Sequence, residues 1–181
     1  MSDTKANRIL AVEIRAGRLG YAVFETPNRL LDFGGAWFVS SFQARSRIAR
    51  LLQIFRPSVI VVGSATARGL RKTPDHRLVV RIVRSEGRKL SISVARVSRR
   101  ALMAYFKSQS YRNKYDRAVL IATWFPEIAW KLPTRRKFYE PEARAMIYFD
   151  ATALGAVYMR LAGENNRTDA DGTLSPDLSV T

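Results

Sequence analysis

Residues 8–38 read RILAVEIRAGRLGYAVFETPNRLLDFGGAWF, and their pattern decides the fold class. Residues 8–15 are apolar on both faces except at Glu13, as in a strand with neighbours on either side and cover above and below. Gly17 and Gly20 frame a turn into YAVFE at 21–25. Thr26-Pro27-Asn28 makes a second turn, before a strand over 30–38 softened by Gly34 and Gly35. The chain is therefore expected to open on three linked antiparallel strands.

Beyond residue 38 the pattern alternates helix and strand. Ile48, Leu51, Leu52 and Phe55 share one face of an amphipathic helix over 41–55, and SVIVV at 58–62 reads as a short buried parallel strand. Residues 63–73 read as a basic loop. Thr73-Pro74-Asp75 starts a helix running to about 88, and SISVARV at 91–97 is a further strand. Ser98 caps a short helix ending near 106. Residues 116–131 are helical with a break at Pro126. A basic connector over 132–139 leads to a last helix over 141–161, with Glu140 and Glu142 at its positive end and Gly163 closing it. The order βββ–α–β–α–β–α–α–α predicts an α/β domain over residues 1–162, and the polar remainder, 163–181, reads as a disordered acidic tail.

Of 181 residues, 31 are Lys or Arg and 15 Asp or Glu, a net charge of +16. Setting aside residues 163–181, which hold four acids against Arg167, leaves 30 basic and 11 acidic residues, a body of +19. Excess of this size, mostly arginine, attracts polyanions and suits bidentate phosphate contacts. The absence of cysteine excludes disulfides and thiolate–zinc sites, and the single histidine, His76, argues against classical zinc catalysis. With no apolar run near ~20 residues and no signal-like N-terminus, the expected setting is the cytoplasm, away from membranes.

The cations cluster. Arg77, Arg81, Arg84 and Arg88 recur at helical spacing on one stripe, where a polyphosphate would relieve a few tenths of a kcal/mol of repulsion per pair. Arg68, Arg71 and Lys72 lie in the loop before that helix. Arg99 and Arg100 sit at a strand-to-helix junction, Arg112 and Lys114 in a polar loop with Tyr111 and Tyr115, and Arg135, Arg136 and Lys137 in the connector. These predict backbone binding rather than base readout. The tyrosines are candidates for stacking on bases; Trp124 and Trp130, in helices, read as core.

Two acids stand where acids are costly. Glu13 lies inside a central strand, and Asp150 shares a helical face with Ile147, Leu154, Val157 and Leu161. Two carboxylates aimed into one sheet–helix junction suit Mg²⁺ or Mn²⁺, which take hard oxygens and phosphates. Pairing of Glu13 with Arg15 or another arginine, and a cap or hydrogen bond for Asp150, would equally offset the burial cost.

The segment AVEIRAGRLGYAVFE, with Gly20-Tyr21 seven residues after Glu13, resembles the first hairpin of the RuvC-like Holliday-junction resolvases of the ribonuclease-H-like superfamily. PSVIVVGS is similar to their fourth strand, and LPTRRKFYEPEARAMIYFDA to the connector and last helix, over roughly residues 8–162. The resemblance implies a ribonuclease-H-like five-stranded mixed sheet, three antiparallel strands then two parallel. It also implies Mg²⁺-dependent endonuclease activity on branched or duplex DNA, and a homodimer. Glu13 and Asp150 would be the catalytic metal ligands. The family's first-strand acid is Asp, so Glu13 is a methylene longer; its second acid falls at Gly63, and a fourth would fall at Ile147. Asp75, Glu86 and Asp116 are the remaining mid-chain acids. An active nuclease and a degenerate relative that binds DNA or RNA without cutting are both compatible with this pattern.

Overall fold

The computed structural model describes residues 7–15, 17–64, 74–109, 112–137 and 139–171. Strands β1 (Ile9–Arg15), β2 (Arg18–Thr26) and β3 (Arg29–Trp37) form an antiparallel meander. Its first hairpin closes on the pair Arg15–Arg18, with Gly17 in the left-handed region at φ 72°. Helix α1 (Ser41–Phe55) is capped by Ser40, whose hydroxyl accepts from the Gln43 N–H. It returns the chain to β4 (Val59–Ser64), which pairs parallel to β1. Helix α2 (Pro74–Lys89) crosses to β5 (Ser93–Ser98), parallel to β4. Helices α3 (Arg99–Ser108), α4 (Lys114–Trp124), α5 (Pro126–Ala129) and α6 (Met146–Asp171) complete the chain. The sheet order is β3-β2-β1-β4-β5. This is the ribonuclease-H-like mixed sheet expected, and the order βββ–α–β–α–β holds.

Strand alternation divides the interior in two. Leu10, Val12 and Ile14 of β1 pack with Ile48 and Leu52 of α1 and with Val79, Ile82 and Val83 of α2. Ala11, Ala22, Phe24 and Val61 pack on the opposite face, against Phe149, Ala153, Leu154 and Val157 of α6 and Ile121 of α4. Glu13 and Arg15 follow Ala11 at even spacing, so they face α6.

Glycine sets how closely α6 lies on the sheet. A Cβ on Gly20 would stand 2.7 Å from the Ile147 carbonyl oxygen, and one on Gly155 2.2 Å from the Phe24 ring. Both approaches need the bare backbone. Ile147, at the position of a possible fourth acid, is buried over Gly20.

Element ends differ from expectation where tertiary bonds decide them. Residues 91 and 92 belong to a turn closing α2, in which the Ile92 N–H bonds the Gly87 carbonyl, so β5 starts at Ser93. The last helix starts at Met146, not at 141, because Glu142 is drawn into ion pairs with Arg15 and Lys114. That pairing outweighs the 0.3–1 kcal/mol, roughly, that an acid gains at a helix N-terminus. Gly163 does not close the helix. It has no positive φ, and α6 continues to Asp171, through the first nine residues of the expected tail. Residues 172–181 lie outside the described residues. No helix among the described residues is long and apolar enough to cross a membrane.

Replacing Gly20 by Ala should destabilise the fold by about 1–3 kcal/mol, because the methyl meets the Ile147 backbone, which cannot turn away, as well as its side chain. Urea denaturation measures this, and an unchanged midpoint would show that α6 does not rest on Gly20.

Candidate functional site

The carboxyl-terminal ends of the parallel strands β1, β4 and β5 share one edge of the sheet, and α6 descends onto it. Glu13 faces this junction. A Cβ added at Gly63 would stand 3.4 Å from the Glu13 Oε2 and 3.7 Å from Leu154 of α6, both ordinary contacts. The backbone therefore has room for a Cβ at 63, next to the Glu13 carboxyl. Glycine here is not a packing requirement.

Asp150, 6% exposed, lies beside Glu13 and is surrounded by cations. Arg117 Nη2 of α4 donates to Oδ1 at 2.5 Å. Oδ2 makes no well-aligned hydrogen bond but is held by charge, with Arg15 Nη2 at 2.7 Å and Lys114 Nζ at 2.9 Å. Arg117 is itself 8% exposed, its guanidinium 5.8 Å from the centre of the Phe106 ring. A buried carboxylate with one buried guanidinium and two half-exposed cations is compensated several times over.

Arg15 and Lys114 also bind Glu142, which lies in the turn before α6; Arg15 Nη1 reaches both carboxylate oxygens at 2.8 Å. Burial raises the Glu142 pKa, but the hydrogen bond and charge of Lys114, with Arg15, hold it below the ordinary value. The result is a network of two carboxylates and three cations tying β1, α4 and the start of α6, with Glu13 at its side.

Glu13 stands apart within it. No cation among the described residues closes to ion-pair distance. Burial, reinforced by the neighbouring Asp150 charge, pushes its carboxyl up to about 7 from 4.5, against the opposing pull of Arg15, Lys114 and Arg117. Near neutral pH it is shared between protonated and ionised forms.

The structure brings Glu13 within reach of the Asp150 charge and places Gly63 beside Glu13. It resolves the alternatives by giving Arg15 to Asp150 rather than to Glu13. Arg117 and Glu142 were not singled out from the sequence. A signal existed for Arg117, which stands four residues before buried Ile121 on the inward stripe of α4. Glu142 reads locally as a helix-start acid. Glu86 binds Arg45 and Lys89 on the other side of the sheet, and Asp116 accepts from the Arg112 N–H and the Asn113 amide, so neither serves this site.

A magnesium ion would need these carboxylate oxygens. Those of Asp150 are engaged by three cations, the neighbouring position is Gly63, and no three Asp, Glu, His or Cys among the described residues converge to hold an ion. As folded, the residues present do not fit a divalent metal.

The basic surfaces lie elsewhere. Arg77, Arg81 and Arg88 are exposed and Arg84 half-exposed along α2, whose inward face packs on the side of the sheet opposite Asp150. Arg81, Arg84, Ser85, Arg88 and Lys89 line an open concavity there. Arg99 and Arg100 are exposed at the start of α3, and Arg135, Arg136 and Lys137 in the connector. Arg112 is exposed, whereas Lys114 is committed to Glu142 and Asp150. Arg68, Arg71, Lys72 and Tyr111 lie outside the described residues. Trp124 stacks on Phe106 in the core, as expected. Trp130 does not pack inside: it is 72% exposed, with Lys131 Nζ 4.0 Å from its ring centre.

No family model and no curated protein matches the sequence. Solved structures match its fold. Thermus thermophilus RuvC is 13% identical, with 87% of this chain and 96% of that one covered at a TM-score of 0.64. The yeast mitochondrial Holliday junction resolvase is 12% identical, covering 93% and 85% at 0.64. The Fowlpox virus resolvase, solved with substrate Holliday junction DNA, is 18% identical, covering 84% and 98% at 0.55. The fold is that of the RuvC-like, ribonuclease-H-like resolvases.

The Glu13 titration has a definite sign. Its folded pKa lies above the unfolded value, so the stability its neutral form allows is complete below about pH 4.5 and lost as pH rises through about 7. Glu13→Gln, neutral throughout, should match the parent near pH 4.5 in relative terms and gain up to about 3 kcal/mol over it by pH 8. Urea denaturation across this range measures the gap; one constant with pH would remove the raised titration.

Proposed function

We propose that the chain binds branched DNA of the Holliday-junction type and holds it without hydrolysing it, with ion pairs at the carboxylate for which the sequence resemblance implies a metal. The observation that carries this is Asp150, both of whose oxygens are engaged by Arg15, Lys114 and Arg117. Displacing those cations for a magnesium ion would leave Arg117 buried and uncompensated, which costs about 3–5 kcal/mol when one partner of a buried pair is lost. Two neighbours of the same fold were solved on junction DNA, Thermus thermophilus RuvC and the Fowlpox virus resolvase, and this supports a branched substrate. The +16 charge supplies the affinity for phosphate.

One observation favours the alternative, a Mg²⁺- or Mn²⁺-dependent endonuclease. Glu13 keeps a carboxyl without an ion-pair partner among the described residues, beside Asp150 and next to Gly63, where a Cβ would make ordinary contacts.

Incubation with four-way junction, duplex DNA and RNA in Mg²⁺ or Mn²⁺, beside Asp150→Asn, separates the readings. Retarded junction with no product is expected. Cleavage that disappears in the variant would establish the nuclease. On the α2 stripe, Arg81→Glu with Arg84→Glu should weaken binding to every substrate and reduce the logarithmic salt slope by about 0.9 for each phosphate no longer neutralised. Unchanged affinity and slope would mean that the stripe is only solvated.

A further inference from the structure

The cross-strand register places three side chains in one row at the edge of the sheet beside Asp150. Arg15 pairs with Arg18, and Arg18 with Trp37. Two residues inward, on the same α6-facing side, the row is Glu13, Gly20 and Gly35. Arg15 points inward to Asp150 and Glu142. Arg18 donates to the Arg144 carbonyl at 2.7 Å and lies 4.7 Å from the centre of the Trp37 ring.

Trp37 is unusual for its size. It is 55% exposed, yet the backbone carrying it is fixed: it ends β3, and the next residue, Phe38, is buried with its N–H bonded to the Gly17 carbonyl at 2.8 Å. A large aromatic ring is therefore held open at a sheet edge, with a guanidinium against it. The surroundings select a polyanion over an apolar partner. Arg15, Arg18, Lys114, Arg117 and Arg144 outnumber Glu13, Glu142 and Asp150, so the edge remains cationic after its ion pairs are counted.

We infer that Trp37 and Arg18 form a stacking platform for an unpaired base of a nucleic acid, with Arg18 and Arg144 meeting the flanking phosphates. Every base offers a π-face to a tryptophan, and arginine adds a cation–π contribution and a phosphate contact. In a continuous duplex the bases are stacked on one another and unavailable. At a branch point or a single-stranded end they are not. The platform therefore contributes to open and branched DNA and not to duplex. This inference rests on the nucleic-acid-binding reading above and names the groups that would make it selective for structure.

The test uses the full chain and fluorescently labelled four-way junction, single strand and blunt duplex of matched sequence, read by anisotropy at fixed ionic strength. Trp37→Ala should weaken junction and single-strand binding about ten-fold while leaving duplex binding and the salt slope as they were. Trp37→Phe should restore most of the loss. Arg18→Gln should weaken binding and lower the salt slope by about one. Equal affinities of parent and Trp37→Ala, with the circular dichroism spectrum retained, would overturn the platform and leave the binding reading intact. A parent that binds none of the three would overturn the binding reading itself. Loss of self-association in Trp37→Ala by sedimentation, with DNA affinity unchanged, would assign the ring to a second copy of this chain and also overturn the platform.

Discussion

A carboxylate buried between a helix and a sheet must be compensated, and Asp150 is the residue on which this molecule turns. Its three cations come from two elements: Arg15 from the end of β1, and Lys114 and Arg117 from the first turn of α4. Glu142 joins through Arg15 and Lys114, which draws residues 141–145 out of helix and delays α6 until Met146. Separating the cations from Asp150 would leave Arg117 buried beside Phe106 without a counter-charge.

The same compensation divides the labour of the surface. Arginines at the α6 edge are engaged partly by carboxylates, while those of α2 face water on the other side of the sheet. The two basic regions are thus unlike in kind. Beside α2, burial together with the charge of Arg84 holds Arg96 of β5 below its ordinary pKa. At the α6 edge the charges are ordered by a network, with an aromatic ring beside them. The first suits a continuous phosphate backbone, the second a fixed point of contact.

Much of the fold was legible because hydrophobic period dominates where elements are long. The apolar runs and turn signals through residues 8–38 and the apolar run before Gly63 are enough to indicate a meander followed by parallel strands, and α1 begins and ends where its spacing and Ser40 cap require. The ends that moved did so for reasons outside local sequence: a turn closing α2 on Gly87, an ion pair at Glu142, and a glycine at 163 that the helix passes through. In the site, Glu13 and Asp150 announce themselves as charges in apolar stripes. Their partners do not. Lys114 sits in a basic loop and Glu142 in a connector, and what makes them part of one centre is contact across 28 residues of chain. Trp130 shows the converse error: it reads as core within a longer helix, but α5 is a single turn that ends at Ala129, and Trp130 follows it into water.

Whether ion pairs stand where a metal would otherwise bind is decided most directly by calorimetric titration of Mn²⁺ and of Mg²⁺ into the protein alone. If Arg15, Lys114 and Arg117 hold Asp150 as described, neither titration shows a saturable site. One or two ions bound stoichiometrically, and lost in Asp150→Asn, would contradict it.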